Sequence, residues 1–102
     1  YNILFRQTAG EWQLATILDF DKAWAGHHEI DLAKLALWTG MTGDGFWEQY
    51  QHHMEMDDLF LERRPLYQLW WCLEYAANTP KHLADTRILC DLLHFPKIEV
   101  FE

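Results

Sequence analysis

The chain has 102 residues, of which half are hydrophobic and 16% are aromatic, and this composition fits one domain with a modest core. Its formal net charge of −8 and the lack of a basic stripe argue against a nucleic-acid partner. No apolar run approaches the roughly 20 residues of a membrane span, so we expect no membrane partner. Cys72 and Cys90 lie in apolar helical patterns without a CxxC pair, which predicts reduced core cysteines of a cytoplasmic protein.

Two apolar runs at the start of the chain predict a β-hairpin. They cover residues 3–7 and 12–18, and the small residues of Thr8-Ala9-Gly10-Glu11 between them suit a tight connection. Residues 21–28 have no sustained period and contain Gly26, which favours a loop across the face of the domain.

The rest of the chain has a helical period. A buried helix is predicted from Glu29, and Asp44 is a candidate cap for a second helix after the glycine-rich break at residues 40–45. A further helical segment begins at Asp57, and Pro65 is expected to end it or to open the next helix. Two apolar helices then follow, over residues 66–77 and 81–94.

An amide and a carboxylate lie at the two ends of the predicted hairpin. Asn2 precedes the first strand and Asp19 follows the second, so chain reversal brings them to the same edge. Magnesium prefers hard oxygen ligands, and a phosphoryl-transfer site offers it one or two carboxylates and an amide beside the nucleotide phosphates. The pair therefore predicts half of a magnesium-phosphate site.

Three motifs in this order resemble the aminoglycoside phosphotransferase and choline kinase-like family, which shares the protein-kinase fold. Asn2-Ile3-Leu4-Phe5 is similar to the end of its HxDxxxxN catalytic loop, and Ile17-Leu18-Asp19-Phe20-Asp21 to its Ile-Asp-Phe strand end. Residues 26–33 match its Gly-x-x-x-x-Asp-Leu-Ala segment, although His27-His28 stands where relatives often have an acidic residue and proline. The recognisable motifs cover about the first 38 residues.

The resemblance implies an α+β fold, the C-terminal part of a kinase-like fold with one hairpin followed by about four to five mostly buried helices. Residues 1–20 would form the metal-site hairpin, residues 21–28 a loop and residues 29–102 the helical subdomain. Asn2 and Asp19 would hold Mg²⁺ against the phosphates of ATP or another nucleoside triphosphate, and Asp31 would support the catalytic loop. The general base and the N-terminal lobe are expected upstream of Tyr1, so this chain alone is expected to be inactive.

Three further residues are candidates for binding the substrate. Asp21 could hold a second metal or a substrate amine, and Trp71 with Glu74 could line a pocket for a cationic acceptor. The competing interpretations are a solvated loop carboxylate for Asp21 and core packing for the helical aromatic residues. The histidines show no HExxH or Cys-His spacing, so we interpret them as surface residues rather than as zinc ligands.

The function that these residues predict is that of a small-molecule kinase, a phosphotransferase with an alcohol group as acceptor. It would move the terminal phosphoryl group of a nucleoside triphosphate to a small hydroxyl compound such as an aminoglycoside or an amino alcohol. Two alternatives remain open at this point. The chain could be a stand-alone acidic helical binding module, or a pseudoenzyme that binds nucleotide without turnover.

Overall fold

A two-stranded hairpin precedes four helices along the chain. A computed structural model describes residues 2–75 and 79–96. The strands are β1 (Ile3–Thr8) and β2 (Glu11–Ile17), and they pair in antiparallel fashion. The helices in the described residues are α1 (Glu29–Leu35), α2 (Phe46–His53), α3 (Phe60–Tyr75) and α4 (Pro80–Leu92). This is the α+β arrangement that the sequence predicts.

The hairpin turn consists of the two residues between the strands. Ala9 and Gly10 have φ values of 52° and 85°. Two positive φ angles in succession give the turn a twist that matches antiparallel strands, and glycine adopts such an angle without steric cost. The predicted connection is therefore confirmed, and it brings the far ends of the two strands together.

Helix α3 is the centre of the helical part, because it packs against both α1 and α4. One core cluster joins α3 to α4 through Leu69, Cys72, Leu89 and Cys90. The other joins α1 to the start of α3 through Leu32, Ala33 and Phe60. Both cysteines are buried free thiols, as predicted.

A buried glutamine also fixes α3 against α1. Gln68 is 7% exposed, and its Nε2 donates to the carbonyl oxygen of Ala33 at 2.9 Å. The acceptor lies near the end of α1, where carbonyl groups lose their helical partners. The bond thus satisfies a buried polar group and sets how the two helices lie against each other.

Helix α3 runs through Pro65, which contradicts the prediction of a break at this residue. Proline lacks the N–H that would donate to Leu61, so the helix loses one hydrogen bond close to its start. Packing on both sides of α3 compensates, because most helical stability in proteins comes from tertiary contacts rather than propensity. The predicted end of this helix at Ala77 lies outside the described residues.

The cap of α2 is also different from the prediction. Gly45, with a φ of 76°, occupies the N-cap position, and no side chain caps the helix. Asp44 is therefore not the cap. A left-handed backbone is open to glycine and strained for aspartate, so the helix begins one residue later than an aspartate cap would place it.

The last helix begins at the signals in its sequence and ends at Leu92, two residues before the predicted His94, whose φ of 57° is not helical. Thr79 accepts a hydrogen bond from the backbone N–H of His82 at 3.2 Å, and Pro80 occupies the first helical position. Proline has no N–H to leave unpaired there, so α4 starts one residue before the predicted Lys81. None of the helices in the described part of the chain is long and apolar enough to span a membrane.

Both faces of the hairpin are open to solvent. Every described residue from Asn2 to Phe20 is exposed, including Phe5 at 60% and Trp12 at 71%. The hairpin strands pair with each other, whereas the helices carry the core. The open end of the hairpin, which carries Asn2 and Asp19, is therefore accessible.

Candidate functional site

The side chains of Asn2 and Asp19 lie next to each other at the open end of the hairpin. Asn2 Nδ2 donates to Asp19 Oδ2 at 3.3 Å, although the two residues are 17 positions apart in the sequence. Both residues are exposed. The pair thus presents a carboxylate and an amide to solvent side by side, as the hairpin topology predicts.

A β-bulge sets the alignment of this pair. The register shifts by one residue at Ala15, which has no partner on β1. As a result, the backbone N–H of Leu18 donates to the carbonyl oxygen of Asn2 at 2.7 Å. Without the bulge, Asn2 would lie opposite Ile17. Asp19 would then be two positions beyond the residue that faces Asn2, instead of one. Bulges often re-aim side chains beside functional sites in this way.

The backbone of Asp19 is in an unusual conformation. Its φ is 64°, in the left-handed region that residues with a Cβ seldom adopt. Aspartate enters this region more readily than most residues, and non-glycine residues held there cost of the order of 1–3 kcal/mol and cluster at active sites and ligand-binding positions. The strained residue here is the carboxylate that the sequence singles out as a metal ligand.

The donor set of this pair fits Mg²⁺. A carboxylate and an amide oxygen are both hard oxygen donors, and Mg²⁺ usually takes only one or two protein carboxylates beside phosphate oxygens and water. Among residues 2–75 and 79–96, no three His, Cys, Asp or Glu side chains group closely enough to hold a metal ion by themselves. A metal at Asn2 and Asp19 would therefore need oxygens from a nucleotide, and its binding there stays a prediction.

Two contacts with α3 hold the loop that follows Asp19. Lys22 Nζ donates to Glu74 Oε1 at 2.8 Å and to the Tyr75 hydroxyl at 2.9 Å. Trp24 meets Trp70 edge to face, with ring centroids 6.1 Å apart. These contacts fix residues 21–28 against the middle and the end of the helix, so they link the hairpin to the helical part.

Gly26 is required for the path of this loop. A Cβ at residue 26 would lie 2.6 Å from ring atoms of Trp24. This separation is closer than carbon atoms approach without a clash. The tryptophan ring therefore folds back over the glycine while it packs on α3.

Three predicted site residues line one small cleft between the loop and α3. Asp31, Trp71 and Glu74 all contribute to its wall, and its volume is about 130 Å³. Asp31 is an exposed residue in the first turn of α1. Its side chain makes no hydrogen bond or ion pair within residues 2–75 and 79–96, and its predicted support of the catalytic loop stays a prediction. Asp21 is exposed, makes no hydrogen bond or ion pair to any described residue, and does not line this cleft.

Lysine side chains of the protein itself already contact the groups that we predicted would bind a cation. Lys22 bonds Glu74 and lies 4.8 Å from the centre of the Tyr75 ring, and Lys34 lies 4.8 Å from the Trp71 ring. The hydrogen bonds to Glu74 and Tyr75 raise the pKa of Lys22 above its ordinary value of 10.5, so these two groups favour its charged form. The cleft therefore has side chains that can bind an ammonium group, and the ammonium group of Lys22 already contacts two of them.

Trp71 belongs to the core as well as to the cleft. It is half-buried against the α3–α4 cluster and contacts the rings of Trp38, Tyr75 and His82. The position of Trp71 is thus compatible both with core packing and with a place in the wall of a cation-binding pocket. Glu74, which is exposed, offers the cleaner test of the cleft.

Two histidines do not lie on the surface as predicted. His82 is half-buried among the rings of Trp38, Trp71 and Tyr75. His28 is half-buried too, and its Nδ1 lies 2.7 Å from the Tyr50 hydroxyl. Their burial depends on aromatic residues that are distant in the sequence. The spacing of residues over a few positions therefore does not predict it.

The two cysteines provide no nucleophile for this site. Cys72 has no exposed surface, and burial raises the pKa of its thiol to about 11. The reactive thiolate is therefore a negligible species at neutral pH. Cys72 is a packing residue of the α3–α4 cluster.

An ion pair that residue spacing does not indicate joins a buried glutamate of α1 to an arginine of α3. Glu29, which is fully buried, binds Arg63 through two hydrogen bonds of 2.6 and 2.9 Å. Arg63 also lies 2.9 Å from Asp57, and His27 Nδ1 is 3.9 Å from the Glu29 carboxylate. The bond from Arg63 lowers the pKa of Glu29, whereas the pKa of Asp57 is lowered first by the backbone N–H of Leu59 and then by Arg63.

A comparison with protein families decides which family contains this site. The family model for fructosamine kinase matches residues 2–93. The chain belongs to the fructosamine kinase family. No curated protein matches it, and no solved structure does.

This membership corrects the resemblance drawn from the motifs. Fructosamine kinases are kinase-like and related to the aminoglycoside phosphotransferases, so the broader grouping is right and the named family is not. The match extends beyond the motifs of the first 38 residues to residue 93, across all four helices. It supports a small-molecule kinase with a hydroxyl acceptor and disfavours a stand-alone binding module.

Proposed function

We propose that this chain carries the metal-binding edge and part of the acceptor-binding surface of a kinase that phosphorylates a hydroxyl group of a fructosamine with ATP. The observation that carries the proposal is the contact between the Asn2 and Asp19 side chains in a chain of the fructosamine kinase family. An amide and a strained carboxylate at one strand end have no evident packing role, since both are exposed.

The roles of the two residues follow from the chemistry of phosphoryl transfer. The Asp19 carboxylate and the Asn2 amide oxygen would hold Mg²⁺ beside the nucleotide phosphates. When bound, the ion neutralises the charge that develops on the transferred group. Asp19 would supply a full negative charge and Asn2 a neutral donor, so Asp19 is expected to matter more for affinity.

The small cleft beside Asp31 is the proposed place for the amine of the acceptor. A fructosamine carries both hydroxyl groups and an amine, and the cleft offers carboxylates and aromatic faces to an ammonium group. Its ion pair between Lys22 and Glu74 is exposed and therefore weak, because water and salt screen exposed charges. An incoming ammonium could displace Lys22 at little cost. Asp21, at the loop start, is a second candidate partner for the amine or for a second metal ion.

The proposed function is tested by an acceptor screen with the intact protein. A fructosamine, an aminoglycoside, choline and a neutral sugar are each incubated with labelled ATP and Mg²⁺, and transfer of the label is measured. We expect the fructosamine to give the highest kcat/KM. Absence of transfer to all four acceptors, with nucleotide still bound, would indicate a pseudoenzyme.

We expect replacements of Lys22 and Glu74 in the small cleft to change KM for the fructosamine in opposite directions. Lys22→Met should lower KM for the fructosamine up to about fivefold, because it removes the internal competitor, whereas Glu74→Gln should raise KM by a similar factor. KM for a neutral sugar should not change in either variant. Lys81→Met is the matched control, because Lys81 makes an ion pair with Asp85 and contacts the Trp38 ring but does not line the cleft.

Steady-state kinetics of the intact protein separate this competition from a structural role. If Lys22 only anchors the loop, Lys22→Met should lower kcat and leave KM for the fructosamine unchanged. That result would contradict an ammonium-binding cleft at Glu74.

A further inference from the structure

A second and larger cleft lies in the helical part. It has a volume of about 670 Å³, within the range of small-molecule sites. We call it the α2–α3 cleft, since it is formed by α2, the segment that connects α2 to α3, and the start of α3. It is lined by Trp47, Gln51, Glu55, Met56, Asp57, Asp58, Phe60, Leu61 and Arg64. None of these residues belongs to the phosphoryl-transfer site or to the small cleft beside Asp31.

One wall of the α2–α3 cleft is apolar. Phe60 is buried at 5% exposure, and the half-buried Trp47 and Met56 pack against it. Leu61 extends this wall and is 63% exposed. Wide aromatic and aliphatic side chains around one cleft favour a ligand with an apolar body, because that surface is removed from water on binding.

Arg64 is the cationic side chain among the residues that line the cleft. Its Nε is buried without a hydrogen-bond partner, and its guanidinium forms no ion pair with a residue in 2–75 or 79–96. The neighbouring Arg63, by contrast, binds Glu29 and Asp57. An unpaired guanidinium gains a charge-assisted hydrogen bond from a ligand carboxylate that reaches its terminal nitrogens.

The remaining charges in the cleft disfavour a simple anion. Glu55 and Asp58 are exposed carboxylates with no hydrogen bond or ion pair to any residue in 2–75 and 79–96. Asp57 is already neutralised by Arg63. Two free carboxylates and one free guanidinium leave an excess of negative charge, which repels an anion and attracts an ammonium group.

We propose that the α2–α3 cleft binds a free amino acid with an aromatic or large aliphatic side chain. Its carboxylate would accept from Arg64, its ammonium would lie near Glu55 and Asp58, and its side chain would cover the wall formed by Trp47, Phe60 and Leu61. This assignment uses every unpartnered charged group of the cleft. It does not depend on the proposed kinase activity.

Three matched probes test the proposal by titration calorimetry with the intact protein. L-Phenylalanine carries both charged groups, 3-phenylpropanoate lacks the amine and 2-phenylethylamine lacks the carboxylate. We expect L-phenylalanine to bind at least about tenfold more tightly than either of the others, because each charged group contributes a charge-assisted hydrogen bond. Equal affinities, or no binding of L-phenylalanine, would overturn the proposal.

Charge variants assign the contacts. Arg64→Gln should weaken L-phenylalanine about tenfold and leave 2-phenylethylamine unchanged, whereas the double variant Glu55→Gln with Asp58→Asn should weaken both and spare 3-phenylpropanoate. The double variant changes only exposed side chains, so it keeps the test valid if Arg64→Gln does not fold. Arg6→Gln, on the exposed hairpin, is the control. Unchanged affinity for L-phenylalanine in the Glu55 and Asp58 double variant would contradict the assigned site.

Discussion

Replacing Asp19 with alanine should reduce kcat of the intact protein for its acceptor by about 10³-fold or more. The variant loses the one full negative charge that the described residues place beside Asn2, and electrostatic groups at a phosphoryl-transfer site contribute factors of this size. KM for the acceptor should change little, because the small cleft lies with α1 and α3 and does not include Asp19. The measurement is steady-state transfer of labelled phosphate from ATP.

Glu11→Ala is the matched control for this experiment. Glu11 begins β2 at the turn end of the same hairpin, carries the same charge and is equally exposed, so general electrostatic effects of a lost carboxylate would appear in both variants. Asn2→Ala should give an intermediate loss. If Asp19→Ala retained more than about a tenth of the wild-type kcat, Asp19 would not be a metal ligand of the reaction.

Replacing Glu29 with glutamine should lower the free energy of unfolding at pH 7 by about 2 kcal/mol. Loss of one partner from a buried ion pair costs roughly 3–5 kcal/mol, and the cost should be smaller here because Arg63 keeps Asp57 as a partner. Chemical denaturation of the intact protein measures the change. Glu48→Gln, an exposed charge on α2, is the control and should leave the stability within about 0.5 kcal/mol of wild type.

The same pair gives a defined dependence of stability on pH. Arg63 lowers the pKa of Glu29 below the ordinary value of 4.5, so folding favours the ionised form. Its contribution should be complete above about pH 5 and should disappear as the pH falls through the lowered pKa. The difference in stability between wild type and Glu29→Gln should therefore shrink in acid. A difference that stayed constant from pH 7 to pH 3 would contradict the ion pair.

The features that the sequence predicted correctly depend on neighbours along the chain. The hairpin follows from two apolar runs and a turn at Ala9-Gly10, and the contact between Asn2 and Asp19 follows from the hairpin. A chain reversal brings its ends together whatever the rest of the fold does. Local turn geometry is therefore enough to predict from the sequence that Asn2 and Asp19 lie together.

The features that the sequence did not reveal depend on contacts between distant segments. Glu29 meets Arg63 across 34 positions, and Lys22 meets Glu74 across 52. No periodicity reports such pairs, because they form only when α1 and the loop dock on α3. Pro65 is a related case, since tertiary packing of α3 outweighs a local rule that would end the helix.

In the proposed site, Asn2 and Asp19 together hold a divalent cation beside the nucleotide. Mn²⁺ can replace Mg²⁺ at such oxygen sites, and its electron paramagnetic resonance signal falls when it binds. Titrating the intact protein with Mn²⁺ and a non-hydrolysable ATP analogue should show a bound ion whose affinity drops at least tenfold in Asp19→Ala and remains unchanged in Glu11→Ala. Equal Mn²⁺ affinity in wild type and Asp19→Ala would contradict the metal site and the phosphoryl-transfer role built on it.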